Sequence, residues 1–304
     1  MGGERCYARR MDLADLAALA ARQLPRTGGG AGSQFVRPLP GLGVLRHPRA
    51  TSFEAAIYEP VILVVLEGKK ETVLGAESFP MGPGEHLLVS HALPVVARVT
   101  EAPYLVLLFD LDLTTLRELS GEAAFAPTSA AEPRALSVHA GDPALVDALA
   151  RYVALAEAPA GSADAAVLGP LIAREIHYRL ATAPGGEMLR RLIQRGSQAS
   201  AIARAIAELR RGFRAPIEVT ELARGVGMSP SSFHKHFKAI TASSPLQFQK
   251  ELRLLEARRL LRAGATSVSA VAFDVGYESA TQFSREYARK FGAPPKQDLA
   301  AARG

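Results

Sequence analysis

The chain of 304 residues is 48% hydrophobic and 22% charged, enough apolar material for two ordinary domain cores. Its longest apolar runs, Val61–Leu66 and Leu105–Phe109, fall far short of the ~20 residues of a membrane-spanning helix. Met1–Arg10 lacks a secretory leader's apolar stretch, and the single cysteine, Cys6, rules out an internal disulfide or a cysteine-built zinc site, so a cytoplasmic location is expected. The formal net charge of +6 is unevenly spread: up to Gly186 there are 16 basic residues against 20 acidic, and from Glu187 onward 20 against 10. A basic C-terminal third suits a polyanionic partner.

In chain order, residues 1–34 read as an N-terminal tail with one short helix, Asp12 to Leu24, stopped by Pro25 and a Gly28-Gly29-Gly30 loop. From about Gly41 to Leu113 short apolar runs alternate with Gly and Pro. Val61–Leu66 closes on Glu67-Gly68-Lys69, Lys70–Leu74 closes on Gly75, and His86–Val89, Val95–Val99 and Tyr104–Phe109 follow. Short strands so closely spaced predict an antiparallel sandwich or small barrel. After Asp112 the composition turns to Ala, Leu and charge. Pro143–Leu155 and Ala165–Leu180 are predicted amphipathic helices, separated by Pro159-Ala160-Gly161-Ser162. Residues 35–185 thus form one domain, Pro184-Gly185-Gly186 opens a linker over 186–201, and the rest is helical up to Gly292.

The C-terminal region repeats itself. Val219–Met228 precedes Ser229–Ile240, and Ser269–Tyr277 precedes Ser279–Phe291; the landmarks Gly227/Gly276 and Phe233/Phe283 lie 49 and 50 residues apart. A duplicated supersecondary unit, over 219–240 and 268–291, explains this. Each copy has the parts of a helix-turn-helix. In the first, Leu222 and Ala223 supply a buried face, Gly227 turns the chain, Ser229 caps and Pro230 starts the next helix. Phe233 and Phe237 share one face, leaving Ser231, Ser232, His234, Lys235 and Lys238 outside. In the second, Ala272 packs, Gly276 turns, Ser279 caps, and Phe283 and Tyr287 form the inner stripe. Thr281, Gln282, Arg285 and Arg289 then point outward. Such side chains meet base edges and phosphates, and Arg285 is the best placed for a bidentate contact to guanine. Between the copies Ser244-Pro245 starts a long helix ending near Gly264, with Leu246, Phe248, Leu252, Leu255 and Leu260 at helical spacing; it is expected to fix the distance between the units.

On these residues, 202–300 resembles the DNA-binding domain of the AraC/XylS family. The matching stretches are Leu222-Ala223…Gly227-Met228-Ser229, Phe233…Phe237-Lys238, Ser244-Pro245, Arg253…Ala257-Arg258…Leu260-Leu261 and Val275-Gly276-Tyr277-Glu278-Ser279…Phe283-Ser284-Arg285…Phe291-Gly292. The tail departs from the family pattern: Pro295 is followed by Lys296-Gln297-Asp298-Leu299 where Pro-x-x-Tyr-Arg is common. Residues 35–185 are similar to the N-terminal domain of one AraC-type subgroup, through Tyr58-Glu59-Pro60, Glu67-Gly68-Lys69-Lys70, Leu93-Pro94-Val95, Pro103-Tyr104-Leu105 and Glu175-Ile176-His177-Tyr178-Arg179-Leu180. The resemblance implies a multidomain α+β protein: a cupin-like antiparallel β-barrel with trailing helices, used for sensing or dimerising, then an all-α domain of two helix-turn-helix units. It implies base-reading positions at Ser231, His234 and Lys235 and at Ala280, Thr281 and Arg285. The outward-face reading adds Gln282 to these, and assigns phosphate contacts to Ser232, Lys238, Ser279 and Arg289. The expected partners are double-stranded promoter DNA, a small-molecule effector in the barrel, RNA polymerase and a second copy of the chain.

Other chemistry is thinly represented. His86 and His91 lie five apart, so one continuous strand would point them to opposite sides, against a shared metal. No Gly-x-Ser-x-Gly elbow or Gly-x-x-x-x-Gly-Lys loop occurs. No cofactor and no enzymatic activity are expected; the rival readings are a cupin-type enzyme fused to a DNA-binding tail, and a constitutive DNA binder whose barrel is structural. Cys6, beside Arg5, is either an incidental thiol or a sensor. The helices Pro143–Leu155 and Ala165–Leu180 either pair protomers or cover the barrel.

Overall fold

The apolar runs of the N-terminal half become strands with both faces buried. A computed structural model describes residues 10–25, 32–122, 125, 134–159, 162–265 and 267–301; Cys6 and Gly28-Gly29-Gly30 lie outside them. Helix α1 (Leu13–Gln23) is N-capped by Asp12 and buries Leu16, Leu19 and Ala20. Among the described residues eight antiparallel strands follow: β1 (Gln34–Leu39), β2 (Leu42–His47), β3 (Glu54–Tyr58), β4 (Val61–Leu74), β5 (Glu77–Met81), β6 (Glu85–Val89), β7 (Leu93–Asp110) and β8 (Leu136–Ala140). They run β1-β2-β7-β4-β6-β8, with β3 against β7 and β5 against β4.

Strands β4 and β7 correct the reading of short separate runs. Val61–Leu66 and Lys70–Leu74 are one strand, and so are Val95–Val99 and Tyr104–Phe109. Their pairing continues through Glu67–Lys70 by register shifts, so the chain bends without ending the ladder. Gly68 makes the bend possible. It has φ +71, and a Cβ there would lie 2.4 Å from the carbonyl oxygens of Glu101 and Pro103. Each long strand therefore serves both halves of a folded sheet.

Alternate residues of β4 feed two cores. Val61, Leu63 and Val65 join Val95, Val99, Tyr104 and Leu87 in one cluster. Ile62, Val64 and Leu66 join Leu88, Leu105 and Leu107 in another, closed by helices. Both faces being covered, the strand reads as an unbroken apolar run rather than an alternating one. The cover comes from α1, α2 (Leu113–Glu122), α3 (Pro143–Ala154) and α4 (Ala163–Thr182). Asp142 with Pro143 starts α3, and Ser162 caps α4. Helix α3 buries seven of its twelve residues, whereas α4 leaves Val167, Leu171 and Tyr178 exposed.

The stretch 186–201, expected as a linker, is instead structured. It carries α5 (Glu187–Ile193) and the first turn of α6 (Gln198–Gly212). The reason is apolar: Leu189 and Ile193 bury with the helical cover, while Met188, Ala199 and Ala201 bury with the strand cluster. The remaining helices are α7 (Val219–Gly225), α8 (Pro230–Thr241), α9 (Pro245–Arg262), α10 (Val268–Asp274), α11 (Ala280–Phe291) and α12 (Pro295–Ala301). The first cluster runs on without a break into Leu209, Phe233, Phe237, Phe248 and Leu252. The last helices have a core of their own, around Leu254, Ala257, Leu261, Phe283 and Tyr287.

Two polar contacts tie α6 to the strands. His91, 2% exposed, meets the Ala199 carbonyl through Nε2 at 3.1 Å and Ser90 Oγ through Nδ1 at 2.8 Å. Burial pushes its pKa down to about 4, so the ring is neutral near pH 7. Arg210 forks onto Glu59. No helix among the described residues is long and apolar enough to cross a membrane.

Candidate nucleic-acid interface

The two helix-turn-helix units are built alike, atom for atom at the turn. In α7–α8 the amide of Met228 donates to Ala223 O at 2.9 Å and that of Gly227 to Arg224 O at 3.0 Å. In α10–α11 Tyr277 donates to Ala272 O at 2.9 Å and Gly276 to Phe273 O at 3.0 Å. Gly227 and Gly276 have φ +79 and +91, the left-handed region that the turn demands. Ser229 accepts from the Ser232 amide, and Ser279 from the Gln282 amide. The units differ where they end: Gly292 (φ 73) closes α11, whereas Ala242 (φ 55) takes the same left-handed turn after α8.

Packing then decides which faces are free. Phe233 and Phe237 are fully buried, 5.4 Å apart, and Phe248 of α9 meets Phe237 edge-on at 5.5 Å. Phe283 and Tyr287 are fully buried in the second unit, with Tyr277 edge-on to Phe283 at 5.3 Å. The opposite faces carry the residues singled out from sequence. Ser231, His234, Lys235 and Lys238 are exposed on α8, and Ser232 is half-buried. Thr281, Gln282, Arg285 and Arg289 are exposed on α11, Ser279 is exposed just before it, and Ala280 is half-buried. His236 is half-buried; burial, and then the neighbouring Lys235, lower its pKa.

Electrostatics separates two kinds of cation. Lys250 pairs with Glu286 at 3.1 Å, Lys290 pairs with Glu251, Arg259 with Glu256 at 2.7 Å and Arg262 with Asp298 at 3.1 Å. The Lys250, Lys290 and Arg262 pairs bind α9 to α11 and α12, and the Arg259 pair lies within α9. Lys235, Lys238, Arg285 and Arg289 meet no carboxylate among the described residues. Their charge faces solvent uncompensated, which is what a polyanion needs.

Helix α9 holds the units together, by a different set of side chains from the predicted stripe. Phe248 and Leu252 are buried as expected, but Leu246 is 54% exposed, and Leu254, Ala257 and Leu261 are buried in place of Leu255 and Leu260. The helix is gripped on two sides, so its apolar surface wraps around it. Gln249 and Arg253, which sequence reasoning did not single out for this role, clamp the chain after α6. Gln249 Nε2 donates to Phe213 O at 2.9 Å and Arg253 Nε donates to Phe213 O at 2.7 Å, while Arg253 Nη2 reaches Arg214 O at 3.0 Å. The same segment abuts the second turn: a Cβ on Gly276 would lie 2.0 Å from Arg214 O.

Glu286 braces α11 from within. It accepts from Tyr277 OH at 2.8 Å, from Lys250 and from Gln282 Nε2 at 3.2 Å. Burial raises its carboxyl, but these donors outweigh burial and hold it below the ordinary value. Gln282 therefore turns its amide nitrogen toward its own helix. Tyr287 OH donates to Asp298 at 2.5 Å, so Asp298 of the divergent tail holds α12 against α11.

The first unit lies against the strands. A cleft of about 500 Å³ separates α8 from the β4–β5 hairpin, lined by Leu74, Glu77, Phe79, Arg134, Lys235 and Lys238. Ala242 touches the hairpin at Gly75, where a Cβ would come within 2.9 Å of the alanine's.

A model of the AraC-type transcriptional regulator N-terminus matches residues 38–188, and a helix-turn-helix domain model matches residues 222–301. The chain is similar to the HTH-type transcriptional regulator CdhR of Pseudomonas aeruginosa, 33% identical over 165 residues, which are 53% of this chain and 46% of that protein. It is also similar to the HTH-type transcriptional activator RhaS of Escherichia fergusonii, 32% identical over 92 residues, 30% of this chain and 33% of that protein. The chain thus spans less than half the length of these relatives. In fold it is similar to apo ToxT of Vibrio cholerae, with a TM-score of 0.54 at 10% identity, covering 85% of this chain and 97% of that one. Unsaturated fatty acid-bound ToxT gives a TM-score of 0.51 at 8% identity, over 90% of this chain and 97% of that one. With an AraC-type N-terminal domain ahead of a helix-turn-helix domain, and a duplicated reading unit in the latter, the chain belongs to the family of AraC-type transcriptional regulators.

Proposed function

We propose that this chain is a sequence-specific regulator of transcription that reads promoter DNA through α8 and α11 in neighbouring major grooves. One observation carries the reading: among the described residues the exposed cations of these two helices meet no carboxylate, while Lys250, Lys290, Arg259 and Arg262 around them are paired. Ser231, His234, Lys235, Ala280, Thr281, Gln282 and Arg285 are assigned to base edges, with Ala280 offering only an apolar contact to a thymine methyl. Ser232, Lys238, Ser279 and Arg289 are assigned to phosphates. Helix α9 has 18 residues and is therefore about 27 Å long. Adjacent grooves on one face of straight DNA repeat every ~34 Å. A shortfall would be met by bending the duplex, at a cost of order 1–6 kcal/mol.

Footprinting of the whole chain on upstream DNA tests this. The whole chain is the right material because the first unit shares its core with the strands. Protection of two major-groove segments one turn apart is expected. Arg285→Ala should relax preference at one base pair by ~1–3 kcal/mol and leave the others unchanged. Equal weakening on every sequence would show that Arg285 touches only phosphate.

Regulation is assigned to the N-terminal domain, read as a cupin-like barrel that takes a small molecule. Inside it, the hydroxyls of Tyr58, Thr72 and Tyr104 are buried without a partner among the described residues, and Lys70 lies 5.2 Å and 5.8 Å from the two tyrosine rings. Such groups suit a polar effector. ToxT, of similar fold, has been crystallised with an unsaturated fatty acid bound. The chain acts by binding rather than turnover in this reading, and RNA polymerase is the partner through which binding alters transcription.

Pairing of protomers is assigned to α4, whose Val167 and Leu171 are 61% and 60% exposed, rather than to α3, which is core. Leu171→Glu should convert a dimer to monomers in sedimentation velocity, with unchanged circular dichroism. A monomeric parent protein, or a variant that still dimerises, would remove α4 from the interface.

A further inference from the structure

On the other face of the sheet from the interior hydroxyls, a cavity opens between β6–β8 and the helical cover. It has a volume of about 320 Å³, within the range of small-molecule sites, and its walls include His86, Leu88, His139, Leu145, Arg179 and Leu180. His86 and His139 are directly paired across β6 and β8, and their rings lie 5.6 Å apart. His86 is 4% exposed, and its Nδ1 has no hydrogen-bond partner among the described residues. A buried polar atom left in this way costs about 1–3 kcal/mol, a cost that a ligand group would relieve.

The wall chemistry narrows the ligand. Arg179 is held on Glu175 by two hydrogen bonds of 2.8 and 2.6 Å, and Asp142 is occupied in capping α3. The lining charges are thus already engaged. Burial lowers both histidines, His86 to about 4, so both rings are neutral near pH 7. Most of the remaining wall is aliphatic. The turn after α4 closes one side: a Cβ on Gly185 would lie 2.3 Å from the His139 ring, and one on Gly186 would lie 2.2 Å from Leu180 O. Only glycine lets the chain pass this close.

We infer that this cavity binds a small, uncharged, mostly apolar molecule that hydrogen-bonds His86 through a single N–H or O–H group. The site is distinct from the barrel interior and does not depend on what binds there.

Indole, an apolar bicycle with one N–H donor, is the probe. In the whole protein, titration followed by ¹⁵N imidazole NMR is expected to move the His86 and His139 signals together and saturably. In His86→Phe the His139 shift should need about tenfold more indole, the loss of one hydrogen bond. If that variant does not fold, Ala183→Leu, which adds volume to the cavity wall, should weaken the His86 shift by a similar factor. Absence of a saturable shift at either histidine, or unchanged affinity in the folded variant, overturns the assignment.

Discussion

Gly276→Ala is expected to destabilise the second reading unit by about 2–5 kcal/mol and to erase one of the two protected DNA segments. Two costs add. Alanine in the left-handed region costs roughly 1–2 kcal/mol, and φ at Gly276 is +91. The new methyl would also sit 2.0 Å from the Arg214 carbonyl oxygen, so backbone must move, with an overpacking cost of about 1–3 kcal/mol. That backbone is the segment clamped by Gln249 and Arg253, so it cannot yield alone. Gly227 provides the control. It has φ +79 but nothing within 4 Å of the added atom, so Gly227→Ala should lose only the conformational part. Urea unfolding with footprinting measures both; equal losses at the two glycines would refute the collision argument.

Phe237→Ala should cost about 3–5 kcal/mol, the usual range for emptying a fully buried aromatic site. Its reach is the more telling result. Phe237 is 0% exposed between Phe233 and Phe248, in the cluster that continues into β4, β6 and β7. Hydrogen exchange should therefore quicken in α8 and also at the amides of α6 and β4. Tyr287→Ala removes a ring of comparable burial, but from the separate core of the last helices, and should leave β4 protected. If Phe237→Ala affected α8 alone, the strands and the first unit would be independent folding bodies.

The reading units were legible in the sequence because their determinants are local. A glycine for the turn, a serine for the cap and aromatic residues four apart recur at a fixed offset, and each acts within a dozen residues of itself. The exposed faces of α8 and α11 followed from that periodicity. The β-rich nature of residues 41–113 was legible for the same reason, but strand continuity was not. Gly68 looks like a terminator, and only its approach to Glu101 and Pro103, over thirty residues away, turns it into a bend. The 186–201 segment misled because its glycine-rich start resembles a loop, while the partners of Leu189, Ala199 and Ala201 lie on other elements. The α9 stripe slipped for a related cause: a helix gripped on two sides does not present one simple face. The His86–His139 pair depends on strand register and could not be seen from a spacing of 53 positions.

Leu252 and Leu254 sit two positions apart on α9, yet one belongs to the core of the first unit and the other to the core of the second. A single-residue insertion or deletion between them would swing one reader about 100° around the helix axis relative to the other. Evolution therefore has little freedom to tune operator geometry there by small length changes. New half-site separations would have to come in whole helical turns or from the DNA, leaving the reading side chains as the adjustable part of the molecule.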